Sequence, residues 1–157
     1  MNELRDLQIE VLHKVRDIYG TAAASVTLIK RPEQRLHHLI VSEMSDKPDE
    51  FCTPLGPQTC CIQVVASQDV LVVENYSSPA DKTYCPFMEA EHMETYVGAP
   101  LFLRGVCVGA LETMGPEIRC WSKAEIDKFR EFAGVLQSLL EDVMPHQSDG
   151  FRSRHLN

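Results

Sequence analysis

The sequence predicts an α+β fold: an antiparallel sheet with two terminal helices on one face and a helix plus a long loop roofing a pocket on the other. Three observations carry this expectation. An amphipathic periodicity opens the chain and a second one follows its last apolar strand. The apolar runs between them are short and largely consecutive, which favours strands joined by turns over alternating βαβ units. The stretch Glu94 to Pro116, ETYVGAPLFLRGVCVGALETMGP, is two apolar runs joined at Arg104-Gly105. It reads as a hairpin with so much apolar surface that it belongs at the centre of the sheet.

Leu4, Leu7, Val11, Leu12, Val15 and Ile18 recur at three- and four-residue steps and predict the first helix, with Asn2 as N-cap and Gly20 as its terminator. Ala22 to Lys30 then reads as a strand, Arg31 to Gln34 as a turn, and Leu36 to Met44 as a second strand. His37 and His38 are neighbours there, and neighbours on a strand point to opposite faces. They cannot chelate one ion together; one faces inward and the other solvent. Ser45 to Gln58, rich in Pro, Asp and Gly, reads as a loop. Thr59 to Ser67 is a helix packed on the sheet, and Asp69 to Glu74 (DVLVVE) is a fully buried strand.

Asn75 to Met93 is a long connection, with a short helix over Met88 to Met93. Connections of this length inside compact domains are functional or partly helical. Pro100 lacks an N–H, so its place in the hairpin is a bulge or an edge. Ile118 to Trp121 connects to a capping box, Ser122 with Glu125 three residues on. The stripe Ile126, Phe129, Phe132, Leu136, Leu139 and Val143 then makes the last helix, to Pro145. Residues 1–145 are expected to be a single domain, and 146–157 a polar, disordered tail.

At 157 residues the chain is long enough for one substantial core. Its net charge of −8 comes from scattered acids, without the basic stripe that nucleic acid or an anionic membrane surface requires. No apolar run approaches the ~18 residues of a spanning helix. MNELRDLQIE has no apolar core of a signal peptide, so a cytoplasmic location is expected. The six cysteines are then expected as free thiols.

Four segments, VLVVEN, SSPADKTY, YVGAPLFLRGVCVGALE and RCWSKAEIDKFREFA, resemble in the same order the motifs of GAF domains. The resemblance covers roughly Asn2 to Asp142. It implies a mixed antiparallel sheet sandwiched between helices, with a ligand cavity under the long loop. It also implies small-molecule sensing in signal transduction. With the loop as roof, Asp81 and Tyr84 are the expected polar contacts, Tyr96 lies on the strand below, and Glu112 offers an anionic anchor. No motif names a cofactor or nucleotide. The long terminal helices suit pairing with a second copy of the chain.

The cysteines allow other chemistry. Cys52, the adjacent Cys60-Cys61 and distant Cys85 lack the paired spacing of a zinc site, and no metal is assigned. Photosensory GAF domains attach a bilin through a cysteine that typically precedes a histidine. Here Cys85 precedes Pro86, so no bilin is expected. The chain also resembles, distantly, the stand-alone free methionine-R-sulfoxide reductases. That resemblance implies Cys85 as nucleophile, with Cys52 or Cys61 as the resolving thiol. The hairpin departs from that pattern, ending Leu111-Glu112-Thr113-Met114, with Met114 in place of a second acid. The reading is therefore a sensor, with a thiol-dependent reductase as the alternative. Cys107 and Cys120 fit as small hydrophobes.

Overall fold

A computed structural model describes residues 3–43, 45–56, 59–78 and 85–156, the side chains of 46 and 143–156 apart. In chain order it contains α1 (Glu3–Tyr19), β1 (Ala23–Lys30), β2 (Arg35–Ser42), β3 (Ser45–Pro54), α2 (Cys60–Ser67) and β4 (Leu71–Val73). These are followed by α3 (Pro86–Ala90), β5 (Thr95–Leu103), β6 (Val106–Gly115) and α4 (Lys123–Leu156). The strands form one sheet in the order β3-β2-β1-β6-β5-β4, every neighbouring pair antiparallel. The expected α+β architecture is present, and the β5–β6 hairpin lies inside the sheet with β6 between β1 and β5.

Alternation along the strands sends side chains to two separate cores. Val26, Leu39, Val97, Leu101 and Leu111 pack under Leu12 and Val15 of α1 and Phe129 and Leu136 of α4. The residues between them, including Ala23, Tyr96, Ala110 and Met114, face α2 and α3 through Cys60, Cys61, Val64, Cys85 and Met88. His37 and His38 divide in the same way. His37 bonds Glu50, which holds Arg5 of α1, while His38 turns to the α2 side.

Local signals fix the element ends. Gly20 at φ 63° closes α1, with the Thr21 N–H returning to the Arg16 carbonyl at 3.3 Å. Arg104 and Gly105, at φ 54° and 81°, make the doubly left-handed turn whose twist matches a hairpin. Ser122 and Glu125 form the reciprocal capping box, at 3.1 and 3.0 Å. Pro100 sits where β4 no longer covers β5, one residue before a register shift at Leu101/Phe102.

Three expectations need correction. Ser45–Pro54 is a strand, not a loop; it borders the sheet, where Pro48 is tolerated beside the shift between Ile40 and Ser42. β4 is only three residues long, half-buried, and forms the opposite border, so it is no fully buried strand. The short helix begins earlier, at Pro86, because proline favours the first helical position. The backbone of α4 continues past Pro145, and Asn2 lies outside the described residues.

Candidate functional site

A cavity of about 140 Å³ opens between the sheet and the α2–α3 layer. Ile40, Phe51, Phe87, Met114, Cys60 and Cys61 give it mainly apolar walls, and Glu112 lies on its floor. Glu112 stands opposite Ser25 on one side and Gly98 on the other. Ser25 and Thr27 donate to its Oε1 at 3.3 and 2.6 Å, and the Tyr96 hydroxyl donates to Oε2. Tyr96 reaches that oxygen by lying along its own strand over Gly98, where an added Cβ would overlap the phenol.

The chain of bonds continues outward. Thr27 has one hydroxyl hydrogen and gives it to Glu112, so it accepts from His38 Nδ1 at 3.1 Å. His38 Nε2 then accepts from Thr53 at 2.8 Å, while its ring stacks on Phe51 at 4.9 Å. Burial lowers the His38 pKa, with the neighbouring His37 adding to the effect, so the ring is neutral in this arrangement. Burial also raises the pKa of Glu112 against the opposing pull of its three donors. Tyr96 is pushed well up by burial and by the Glu112 charge.

Three buried thiols lie beside this network. Cys61 lines the cavity, and burial, followed by the charge of Glu112, pushes its thiol up. Cys60, the first residue of α2, and Cys85, the N-cap of α3, belong to the same buried cluster. Interaction between the two thiols holds Cys85 down at about 7 and, together with burial, pushes Cys60 up. The Cys60 thiol also lies 3.9 Å from the Met88 sulfur. Cys52 is elsewhere. It falls between the cavity residues Phe51 and Thr53 and opposite His37, so alternation turns it to the α1 side of the sheet. Among the described residues, no group of three or more His, Cys, Asp or Glu side chains is arranged to hold a metal ion.

The family model for the GAF domain matches residues 3–138. The chain belongs to the GAF domain family. No curated protein sequence matches it. Among solved structures, the phycocyanobilin-bound GAF domain of a cyanobacterial phytochrome superposes with a TM-score of 0.74 at 16% identity, over 92% of this chain and 87% of that one. A methyl-accepting chemotaxis protein fragment gives 0.73 at 14% identity, over 92% of both chains. Free methionine-R-sulfoxide reductase from Neisseria meningitidis, in complex with its substrate, gives 0.71 at 15% identity, over 90% of this chain and 80% of that one.

Within this GAF domain, Tyr96 and Glu112 are brought together by a direct hydrogen bond at the cavity. Asp81 and Tyr84 lie outside the described residues. Of the three thiols named for reductase chemistry, Cys61 reaches the cavity, Cys85 is buried in the same cluster without lining the cavity, and Cys52 is turned away. Sequence reasoning missed His38, Phe51 and Thr53, which enter the site through the β1–β2–β3 register. Among the described residues, no helix is long and apolar enough to cross a membrane.

Proposed function

We propose that this GAF domain is a regulatory module that binds a small molecule over Glu112 and passes the bound state to a partner. One observation carries the reading: a buried, fully hydrogen-bonded carboxylate forms the floor of an otherwise apolar cavity. Pockets for small ligands have this composition, apolar walls with a few fixed polar groups. At about 140 Å³ the space matches engineered cavities of about 150 Å³ that hold one benzene. The occupant is therefore of single-ring size, much smaller than a bilin. Tyr96 and Glu112 orient it from below, and Asp81 and Tyr84 contact it from the preceding loop. A ligand with different affinities for two arrangements of α2 and α3 shifts their populations.

The reading also places the domain in the cytoplasm, as a homodimer through its terminal helices. Ile18 of α1 and Val135 of α4 are 56% and 50% exposed and offer apolar surface for the contact. Sedimentation equilibrium at high micromolar concentration tests it; a monomer there overturns the dimer.

The ligand reading is tested by thermal unfolding against a panel of single-ring compounds. A true ligand at one hundred times its Kd stabilises by about 2.7 kcal/mol, and Ile40→Phe, which fills the cavity, abolishes the shift. An unshifted panel, with native mass spectrometry showing no retained molecule, overturns the reading. The alternative, a thiol-dependent methionine sulfoxide reductase, is favoured by the low pKa of Cys85. It is weakened by the outward turn of Cys52. Turnover of free methionine-R-sulfoxide with a dithiol, lost in Cys85→Ser, is its signature.

A further inference from the structure

The hydroxyl groups around the cavity floor all donate to acceptors of the protein itself. Ser25 and Thr27 give their hydrogens to Glu112 Oε1, Tyr96 gives its own to Oε2, and Thr53 donates to His38 Nε2. A hydroxyl has one hydrogen and two lone pairs, and a carboxylate has about four acceptor positions. These groups therefore have no hydrogen left to donate, but they can still accept. Glu112 Oε2 receives one bond where Oε1 receives two. The oxygens of Ser25 and Tyr96 line the cavity from β1 and β5, the two strands that flank β6, and keep lone pairs for a further bond.

Glu112 is at the same time a buried acid without a cation. It is 6% exposed, and the groups bonded to it are neutral hydroxyls. No Lys or Arg is among the described residues that line the cavity, and neutral His38 is separated from Glu112 by the Thr27 hydroxyl. A buried carboxylate is costly unless it is paired. Burial pushes the Glu112 pKa up, as a carboxylate lacking its cation requires.

Building on the small-molecule role proposed for this cavity, we infer that its ligand is a single-ring primary amine bound as the ammonium ion. Three N–H donors meet three acceptors, Glu112 Oε2 and the oxygens of Ser25 and Tyr96, while the ring packs against Ile40, Phe51 and Phe87. The same floor rejects anions, because a carboxylate or phosphate would face Glu112 with no cation among the described lining residues. An α-amino acid has its ammonium matched and its carboxylate unmatched. The ligand class is thus different from the amino-acid substrate of the reductase alternative.

Calorimetric titration and thermal unfolding of the full chain at neutral pH, with benzylamine, benzyl alcohol, toluene, benzoate and phenylglycine, test this. Benzylamine should bind at least about tenfold more tightly than benzyl alcohol or toluene, the factor that a charged hydrogen bond supplies. Benzoate and phenylglycine should leave the Tm unchanged. Ile40→Phe should abolish benzylamine binding, which places it in the cavity. Glu112→Gln, of the same size, should bring benzylamine to the level of toluene. Ser25→Ala should weaken benzylamine severalfold and leave toluene unaltered, and it keeps the test decisive where circular dichroism shows Glu112→Gln to be unfolded. Toluene, benzyl alcohol or benzoate binding as tightly as benzylamine overturns the amine class and leaves the sensor reading standing. So does full benzylamine affinity in Glu112→Gln, or a neutral or anionic molecule retained in native mass spectra. A silent panel with nothing retained overturns both.

Discussion

Gly98→Ala tests the geometry around Glu112 most directly. A Cβ at this position would overlap the Tyr96 hydroxyl and lie 2.8 and 2.9 Å from Cζ and Cε1 of the ring. The ring must lift, and its bond to Glu112 is lost. Overpacking costs about 1–3 kcal/mol, and a hydrogen bond to a charged group about 1.5–3 kcal/mol. Alanine recovers about 0.4–1 kcal/mol through the unfolded chain. The net expectation is about 2–5 kcal/mol of destabilisation. Tyr96→Phe alone should cost the hydrogen bond, about 1.5–3 kcal/mol. Because both changes break the same bond, the double variant should be more stable than the sum of the singles by roughly that amount. Urea unfolding at neutral pH measures all four proteins, with an unchanged m-value showing that the unfolded states match. Additivity within about 0.5 kcal/mol would refute the claim that Gly98 exists to let Tyr96 reach Glu112.

Three further outcomes follow from named contacts. Glu112 has a raised folded pKa, so its protonated form favours the native state. That contribution is complete below the unfolded value of about 4.3 and fades as pH climbs through the folded one. Urea midpoints from pH 4 to 8 should therefore decline more in the parent than in Glu112→Gln. Ser122→Ala removes the acceptor for the Glu125 N–H and should cost about 1 kcal/mol, a drop of about 2–4 °C by calorimetry. Alkylation of Cys85 by iodoacetamide should titrate with a midpoint at about 7, with Cys60, Glu112 and the Tyr76 hydroxyl as the polar groups around it. Cys60→Ala should move that midpoint upward, since the donor holding it down is gone; an unmoved midpoint would contradict the pairing.

What the sequence disclosed was local. The Gly20 terminator, the Arg104-Gly105 turn and the Ser122–Glu125 box each depend on a handful of neighbouring residues, and each is found in place. The border strand β3 was misread because its order comes from pairing with β2, which Pro48 and the charged residues around it conceal. The same cause hid half of the site. Tyr96 and Glu112 share a hairpin and are visible together, whereas His38, Phe51 and Thr53 meet them only through the register of three strands. Strand parity also decided the place of Cys52, which sits between Phe51 and Thr53 in sequence but belongs to the other face.

The two borders of the sheet have a consequence for crowding and self-association. Unpaired N–H groups on a border strand invite another chain to add on. Beyond β4, however, Pro100 has no such group, and the Phe102 N–H is held by Gln137 Oε1 at 2.9 Å. On the far side, Pro48 and the broken register of β3 spoil the template. Each border therefore offers only an interrupted template for an added strand, three residues long at β4 and broken in register at β3.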